Sequence, residues 1–324
     1  MILELDYKNY IADVKNLMFK SLSYDSIHVR NIVSNIPLSN GKMVRALILF
    51  CIAKMLKNLT LEEKNKCVNF ATSIELLHIA TLIHDDVIDE SVKRRGEKSL
   101  NSVCKNRLAI LAGDVVFSTS FRLMTSQDNS EDLMRIVSHA CEDLVCGEIE
   151  EEILIANKDV TKVEYLSVID KKTARLFEAA AKIGASISSS ILVELAGQFG
   201  KNIGIAFQII DDGIDYFSTE GESGKPQFSD IKSKKITIPL ILLREKCEVE
   251  EFNFIEEFFS TKEIVDLDIA KVLNLMKKYD IKNKIYDEAK KYIDIAKNAI
   301  FNFKESKDKQ IILKLLDDLT YRKS

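Results

Sequence analysis

Asp85 and Asp89 stand four apart in "LIHDDVIDE" (82–90), and Asp211 and Asp215 repeat the spacing in "QIIDDGIDY" (208–216). On a helix, residues four apart lie about 40° from each other on one stripe, so each string turns two carboxylates the same way. Asp86 and Asp212 sit beside them; His78 lies seven before Asp85, and Gln208 seven before Asp215. Like charges at this spacing weaken a helix by about 0.2–0.5 kcal/mol per pair unless a cation neutralises them. Oxygen ligands without His or Cys suit a hard ion such as magnesium, which takes its remaining ligands from water and phosphate groups. A solvated acidic face explains one such string equally well. Both copies, however, follow strongly apolar helical runs, where unpaired carboxylates are costly. Neither carries the Asp-x-Asp-x-Asp-Gly pattern of a calcium loop.

Basic residues occur as short clusters in breaks and at helix ends: Lys42 and Arg45 in "GKMVR", Arg94 and Arg95 in "RRG", Lys171 and Lys172 with Thr173 in "KKT", Lys225 in "GKP", and Lys232, Lys234 and Lys235 in "KSKK". Forked guanidiniums and mobile ammoniums are what phosphate groups require. Singly, each cluster reads as a solvated patch. Arg94 and Arg95 follow the first acidic string so closely that one chain turn would hold metal and anion together.

The elements that must position these groups read as helices. Apolar residues recur at three- and four-residue intervals in "FATSIELLHIATLIH", "EDLMRIVSHACEDLVCGEI" and "TARLFEAAAKIGASI", whereas period-two alternation is scarce. Several of these runs are apolar on more than one face and are expected to be central helices. Breaks are expected at 35–42, 93–99, 125–132, 156–162 and 218–235, with Pro239 near the start of a following helix. The last break is long and rich in Gly, Ser and Lys, which makes it a candidate lid.

With 324 residues, only three prolines and eleven glycines, and no linker-like tract, the chain is expected to form a single domain over 1–324. Its 46 basic and 50 acidic side chains give a net charge of −4, without the global basic field that nucleic-acid binding needs. The acidic amphipathic start lacks a signal-peptide pattern, and the apolar stretch 46–53 is too short to cross a bilayer. A cytoplasmic protein with no transmembrane segment is expected. Six cysteines without metal-ligand spacing read as reduced thiols.

The motifs "GKMVR", "ELLHIATLIHDDVIDESVKRRG", "GDVVFSTSF", "KKTARLFEAAA", "GIAFQIIDDGIDY" and "GKPQFSDIKSKKITIPL", in that order over about 38–240, resemble the trans-isoprenyl diphosphate synthases, or polyprenyl synthetase family. The resemblance implies an all-α bundle of long helices around a central hydrophobic tunnel. It also implies a homodimer and magnesium, three ions bound with substrate diphosphate. By the same resemblance, Asp85, Asp86, Asp89, Asp211, Asp212 and Asp215 bind metal. Lys42, Arg45, His78 and Arg95 match the positions that hold isopentenyl diphosphate. Arg94, Lys172, Thr173, Gln208, Lys225 and Lys235 match those that hold the allylic diphosphate. Lys172, Thr173, Gln208, Asp85 and Asp211 are then the catalytic set: the allylic C–O bond ionises against metals and cations, isopentenyl diphosphate attacks, and a proton is lost. The chain departs from the family pattern in having only Gly41 before Lys42, Phe228 and Lys234 where glycine is common, and Asp170-Lys171 before Lys172. Whether Lys234 or Lys235 reaches substrate stays open.

A growing tail would run from Asp85 back along its helix at about 1.5 Å per residue, so Thr81 and Ala80 lie one turn deeper. Family members with short products resemble one another in placing aromatic rings there, where this chain has small side chains. "HIATLIHDDVIDES", "MTS" and "KTARLFEAAA" look most like octaprenyl and solanesyl synthases, which make quinone side chains. A product of C30 to C50, nearest octaprenyl, a farnesyl diphosphate primer, and peripheral membrane contact for product release are expected. Met124, Ile136 and Val137 are candidates for the tunnel floor. The alternatives are a short-chain farnesyl or geranylgeranyl diphosphate synthase and a noncatalytic partner subunit. A terpene cyclase would have no use for Lys42, Arg45, His78 and Arg95.

Overall fold

The computed structural model describes residues 5–38, 41–94, 96–155, 157–188, 191–217, 228–260 and 266–320. The described chain is built from helices, with a single hairpin of two-residue strands. Its contacts group into two compact units, each assembled from separated segments. The first takes Met1–Ala140, Leu176–Gly200 and Ala299–Leu315, and the second Cys141–Arg175, Lys201–Asn298 and Leu316–Ser324. No single cut of the sequence separates them, so a linker of distinctive composition has no place to occur.

In the first unit, α1 (Leu5–Ser21), α2 (Ile27–Val33), α3 (Val44–Leu56), α4 (Leu61–Ile88), α5 (Leu100–Cys104) and α6 (Asn106–Thr125) pack together, α4 most extensively on α6. Nearly all of α9 (Arg175–Ile187) belongs to the same unit. Every residue of α3 from Ala46 to Ala53 is buried, the mark of a helix surrounded by others. Tyr10 of α1 stacks flat on Phe50 of α3, ring centroids 3.9 Å apart. The start of α4 is fixed by a capping box: Glu63 N–H donates to Thr60 Oγ1 at 3.2 Å, and Thr60 N–H to Glu63 Oε2 at 2.9 Å. By length and composition α4 and α6 could cross a membrane, although the sequence offers no longer unbroken apolar run than 46–53; 61% of the apolar window of α4 is buried inside the protein.

The second unit contains the C-terminal part of α7 (Glu131–Leu154), then α8 (Lys162–Ile169), a π-helical turn (Asp170–Ala174), the C-terminal part of α10 (Val193–Phe217) and the helices at 229–232, 238–244, 249–260, 266–278 and 281–299. A second capping box, Thr161 with Glu164, opens α8. Pro239 stands in the first turn of Ile238–Arg244, where its missing N–H leaves no bond unmade.

The expected breaks at 35–42, 125–132 and 156–162 fall in or beside connections. The expected break at 93–99 is the hairpin Lys93–Arg94 with Glu97–Lys98, whose strands are too short to show a period in sequence. Residues 218–227, most of the candidate lid, lie outside the described residues.

Candidate active site

Both acidic strings sit where a helix least favours them. Asp85 and Asp86 close the 28-residue α4 with Asp89 as its C-cap, and Asp211, Asp212 and Asp215 occupy the last two turns of α10; neither helix has a basic residue in its last turn. The carbonyl end of a helix carries partial negative charge, so each carboxylate there is unfavourable by about 0.3–1 kcal/mol until a cation arrives.

The three aspartates of the first string differ in surroundings. Asp86 is buried, its side chain 6% exposed, and its Oδ1 accepts from Arg94 Nε at 2.7 Å. Its backbone carbonyl accepts from Asn101 Nδ2 at 3.1 Å and from Ser91 N–H at 2.9 Å. These bonds fold the chain after α4 into the hairpin that carries Arg94, with Gly96 turning at φ 81°, a conformation that a side chain resists. Asp85 is half-buried and Asp89 exposed, so these two face outward. The motif "GDVVF" explains itself here. A Cβ on Gly113 would run into the His84 ring, so the glycine leaves room for that ring between α4 and α6. His84 Nε2 in turn lies 3.1 Å from the Ile110 carbonyl.

The first unit also holds Lys42, Arg45 and His78. Lys42 is exposed and Arg45 and His78 half-buried. The Arg45 guanidinium lies over the Phe177 ring, 4.4 Å from its centroid, a cation–π contact that holds its plane. The N-terminus of α3 has no side-chain cap of its own; the buried Glu75 of α4 accepts from Ala46 N–H at 3.1 Å instead. Ala80 is fully buried, and Thr81 is half-buried with its hydroxyl donating to the His78 carbonyl at 2.9 Å. Met124 and Val137 are buried and Ile136 half-buried.

In the second unit a relay of hydrogen bonds fixes the second string. Thr173 Oγ1 donates to Gln208 Oε1, Gln208 Nε2 donates to Asp212 Oδ1, and the buried Tyr165 hydroxyl donates to Asp212 Oδ2, each at 2.7 Å. Burial pushes the Asp212 carboxyl up to about 7, against the downward pull of Tyr165 and Gln208. Asp215 is spoken for differently: its Oδ1 accepts from Ser229 N–H at 3.2 Å and its Oδ2 from Asp230 N–H at 3.1 Å, tying the short helix 229–232 to α10. Asp211 remains half-exposed.

The π-turn presents Lys172 and Thr173, the wider coil being a common way of re-aiming side chains at functional sites. Arg175 Nη2 and Lys201 Nζ bind Asp170 Oδ2 at 3.2 and 2.9 Å and brace that turn, which gives the departure at Asp170 a structural role. The turn lies directly against Gly147 of α7, where a Cβ would come within 2.6 Å of the Lys172 nitrogen. Lys172 Nζ reaches Glu148 Oε2 and Glu151 Oε2, both at 2.7 Å, and Lys235 Nζ reaches the same Glu151 oxygen at 3.1 Å. Lys234 Nζ points elsewhere, to the Phe259 carbonyl at 3.4 Å, so Lys235 is the ammonium that joins Lys172. Glu148 and Glu151 were missed in sequence because "GEIEEEI" reads as a solvated acidic run; their spacing of three, on one helix face, was the available signal. Arg95 and Lys225 lie outside the described residues.

Comparison with known proteins identifies the family and the fold. The polyprenyl synthetase family model matches residues 27–276. A polyprenyl synthase from Caulobacter crescentus CB15, solved with calcium and isoprenyl diphosphate, superposes with a TM-score of 0.91 at 27% identity, over 98% of this chain and 96% of its own. Octaprenyl diphosphate synthase of Escherichia coli is 34% identical over 71% of each chain. Geranylgeranyl diphosphate synthase of Sulfolobus acidocaldarius is 31% identical over 98% of each. With a family match over most of its length and a shared all-α fold, the chain belongs to the polyprenyl synthetase family and is a trans-prenyl diphosphate synthase.

Proposed function

We propose that the chain is a long-chain member of this family, extending an allylic primer, farnesyl diphosphate, with isopentenyl diphosphate to products of C30 to C50 centred on octaprenyl diphosphate, for quinone side chains. The observation that carries the reading is the small side chains of Ala80 and Thr81, one helical turn below Asp85, where an aromatic ring would stop a growing tail. The identity with octaprenyl and solanesyl diphosphate synthases supports it.

In this reading Asp85, Asp89 and Asp211 ligate magnesium, three ions in all with the substrate diphosphate, while Asp86 and Asp212 orient their neighbours through the hydrogen bonds described. Asp85 and Asp89, facing outward one turn apart, would hold a hard cation that takes its remaining ligands from diphosphate and water. When bound, the ions stabilise the charge that develops on the leaving diphosphate. Lys172, Lys235 and Arg94, with Lys225, bind the same group. Lys42, Arg45, His78 and Arg95 hold isopentenyl diphosphate close to the allylic carbon. Thr173 and Gln208 turn hydroxyl and amide dipoles towards the developing cation, and Met124, Ile136 and Val137 set the depth of a tunnel.

A homodimer is part of the proposal. Val145, Ile149 and Ile153, four apart along α7, are 51%, 55% and 72% exposed, an apolar stripe that a second copy would cover. A cytoplasmic location with peripheral membrane contact suits a soluble diphosphate substrate and a lipid product. The similarity to a geranylgeranyl diphosphate synthase favours a second, shorter-product reading. Incubation with radiolabelled isopentenyl diphosphate, farnesyl diphosphate and Mg²⁺, followed by chromatography, decides between them. Products of C30 or longer are expected, and products that stop at C20 would establish the shorter reading.

A further inference from the structure

Glu151 binds no substrate in the scheme above, yet it holds both lysines assigned to the allylic diphosphate. One oxygen, Oε2, accepts from Lys172 Nζ at 2.7 Å and from Lys235 Nζ at 3.1 Å, and Glu148 adds a second carboxylate to Lys172 at 2.7 Å. All four side chains are largely shielded from water. Burial works to raise the Glu151 carboxyl, but the charges of Lys172 and Lys235 more than offset it and hold the group below the usual carboxylate range. Two ammoniums and two carboxylates therefore balance before any anion arrives.

An incoming diphosphate must compete for these lysines with carboxylates that are shielded, charged and held beside them on α7. That attachment matters when the anion leaves, because Glu151 stays within reach and recaptures both lysines without a diffusional step. A synthase that adds unit after unit must release one inorganic diphosphate per cycle from these lysines. We infer that Glu151 is an internal anionic competitor that speeds diphosphate exchange, keeping affinity for the anion low enough for repeated turnover. The inference rests on Lys172 and Lys235 binding diphosphate, as proposed above.

Glu151→Gln keeps an accepting oxygen at nearly constant volume and removes the charge. In the full-length protein with Mg²⁺, the Kd of inorganic diphosphate by titration calorimetry is expected to fall about tenfold, the size of one charge-assisted bond. Inhibition by added inorganic diphosphate should tighten in parallel, with both KM for the allylic substrate and kcat lower. Glu148→Gln, touching only Lys172 of the pair, should do the same more weakly. Lys172→Met and Lys235→Met separate the two premises. If they weaken diphosphate binding while Glu151→Gln leaves it unchanged or weaker, the competitor role is wrong and Glu151 merely organises the lysines. If the lysine variants bind diphosphate as wild type does, the assignment of the lysines falls and the inference with it. Circular dichroism of each variant identifies any that fail to fold, and Glu148→Gln then supplies the test.

Discussion

Arg94 Nε donates to the buried Asp86 carboxylate at 2.7 Å, which makes the middle residue of the first acidic string a structural anchor while its neighbours face outward. Removing one partner of a shielded ion pair strands the other charge, at roughly 3 kcal/mol. Asp86→Ala should therefore lower the thermal midpoint markedly, whereas Asp85→Ala should leave it almost unchanged and abolish magnesium-dependent turnover. Equal melting temperatures for the two variants would contradict this division.

Asp212 gives a pH signature. Its carboxyl titrates near 7 in the fold, far above an unfolded value of about 3.9. Between those values the folded state binds more protons, so this group's contribution is greatest below the unfolded value and is lost as pH rises towards 7. Metal-free wild type should lose stability over that window relative to Asp212→Asn, as read by melting in EDTA. Tyr165→Phe removes a bond that favours the ionised form, so the loss should extend above pH 7.

Gly147 sets the position of Lys172. With a Cβ only 2.6 Å from the Lys172 nitrogen, Gly147→Ala must push the π-turn away from α7. A displacement near 1 Å costs about a hundredfold in rate at a site that depends on placement. Steady-state kinetics should show turnover slowed by about 10- to 100-fold, with the fold retained.

Phe228 and Lys234, where the family commonly has glycine, adopt φ of 61° and 58°. Side chains resist this left-handed region by about 1–2 kcal/mol, partly offset by the greater freedom of glycine when unfolded. Phe228→Gly and Lys234→Gly should each stabilise by about 0.5–1 kcal/mol in urea unfolding. Lys235 keeps its link to Glu151 in both.

Ala80 is fully buried. In the long-chain reading Ala80→Phe puts a ring across the path of the tail, so chromatography should show the product distribution shifting to shorter chains with the first condensation intact. Unchanged product length would refute the assignment of Ala80 and Thr81 to chain length.

Helices and the like-facing aspartates of both acidic strings were legible in the sequence, because a period of about 3.6 involves residues within one or two turns; the capping boxes Thr60–Glu63 and Thr161–Glu164 emerged only with the structure. Even the strained positions could be read, since Phe228 and Lys234 stand out against a glycine pattern. The hairpin at 93–98 and the π-turn at 170–174 could not. A two-residue strand has no period, and a π-turn is one helical turn widened by its neighbours.

What the sequence by itself determined is the inventory: three aspartates twice, basic clusters in order, and small residues below Asp85. Only the tertiary structure decided how the members of each set divide. Asp86 and Asp212 turn inward while Asp85 and Asp211 remain half-exposed, Asp215 caps a distant segment, and Lys235, not Lys234, joins Lys172 on Glu151. The reason is separation along the chain. Asp212 lies 47 residues from Tyr165, and Lys235 lies 84 from Glu151, so their burial and pairing depend on contacts that no local period records.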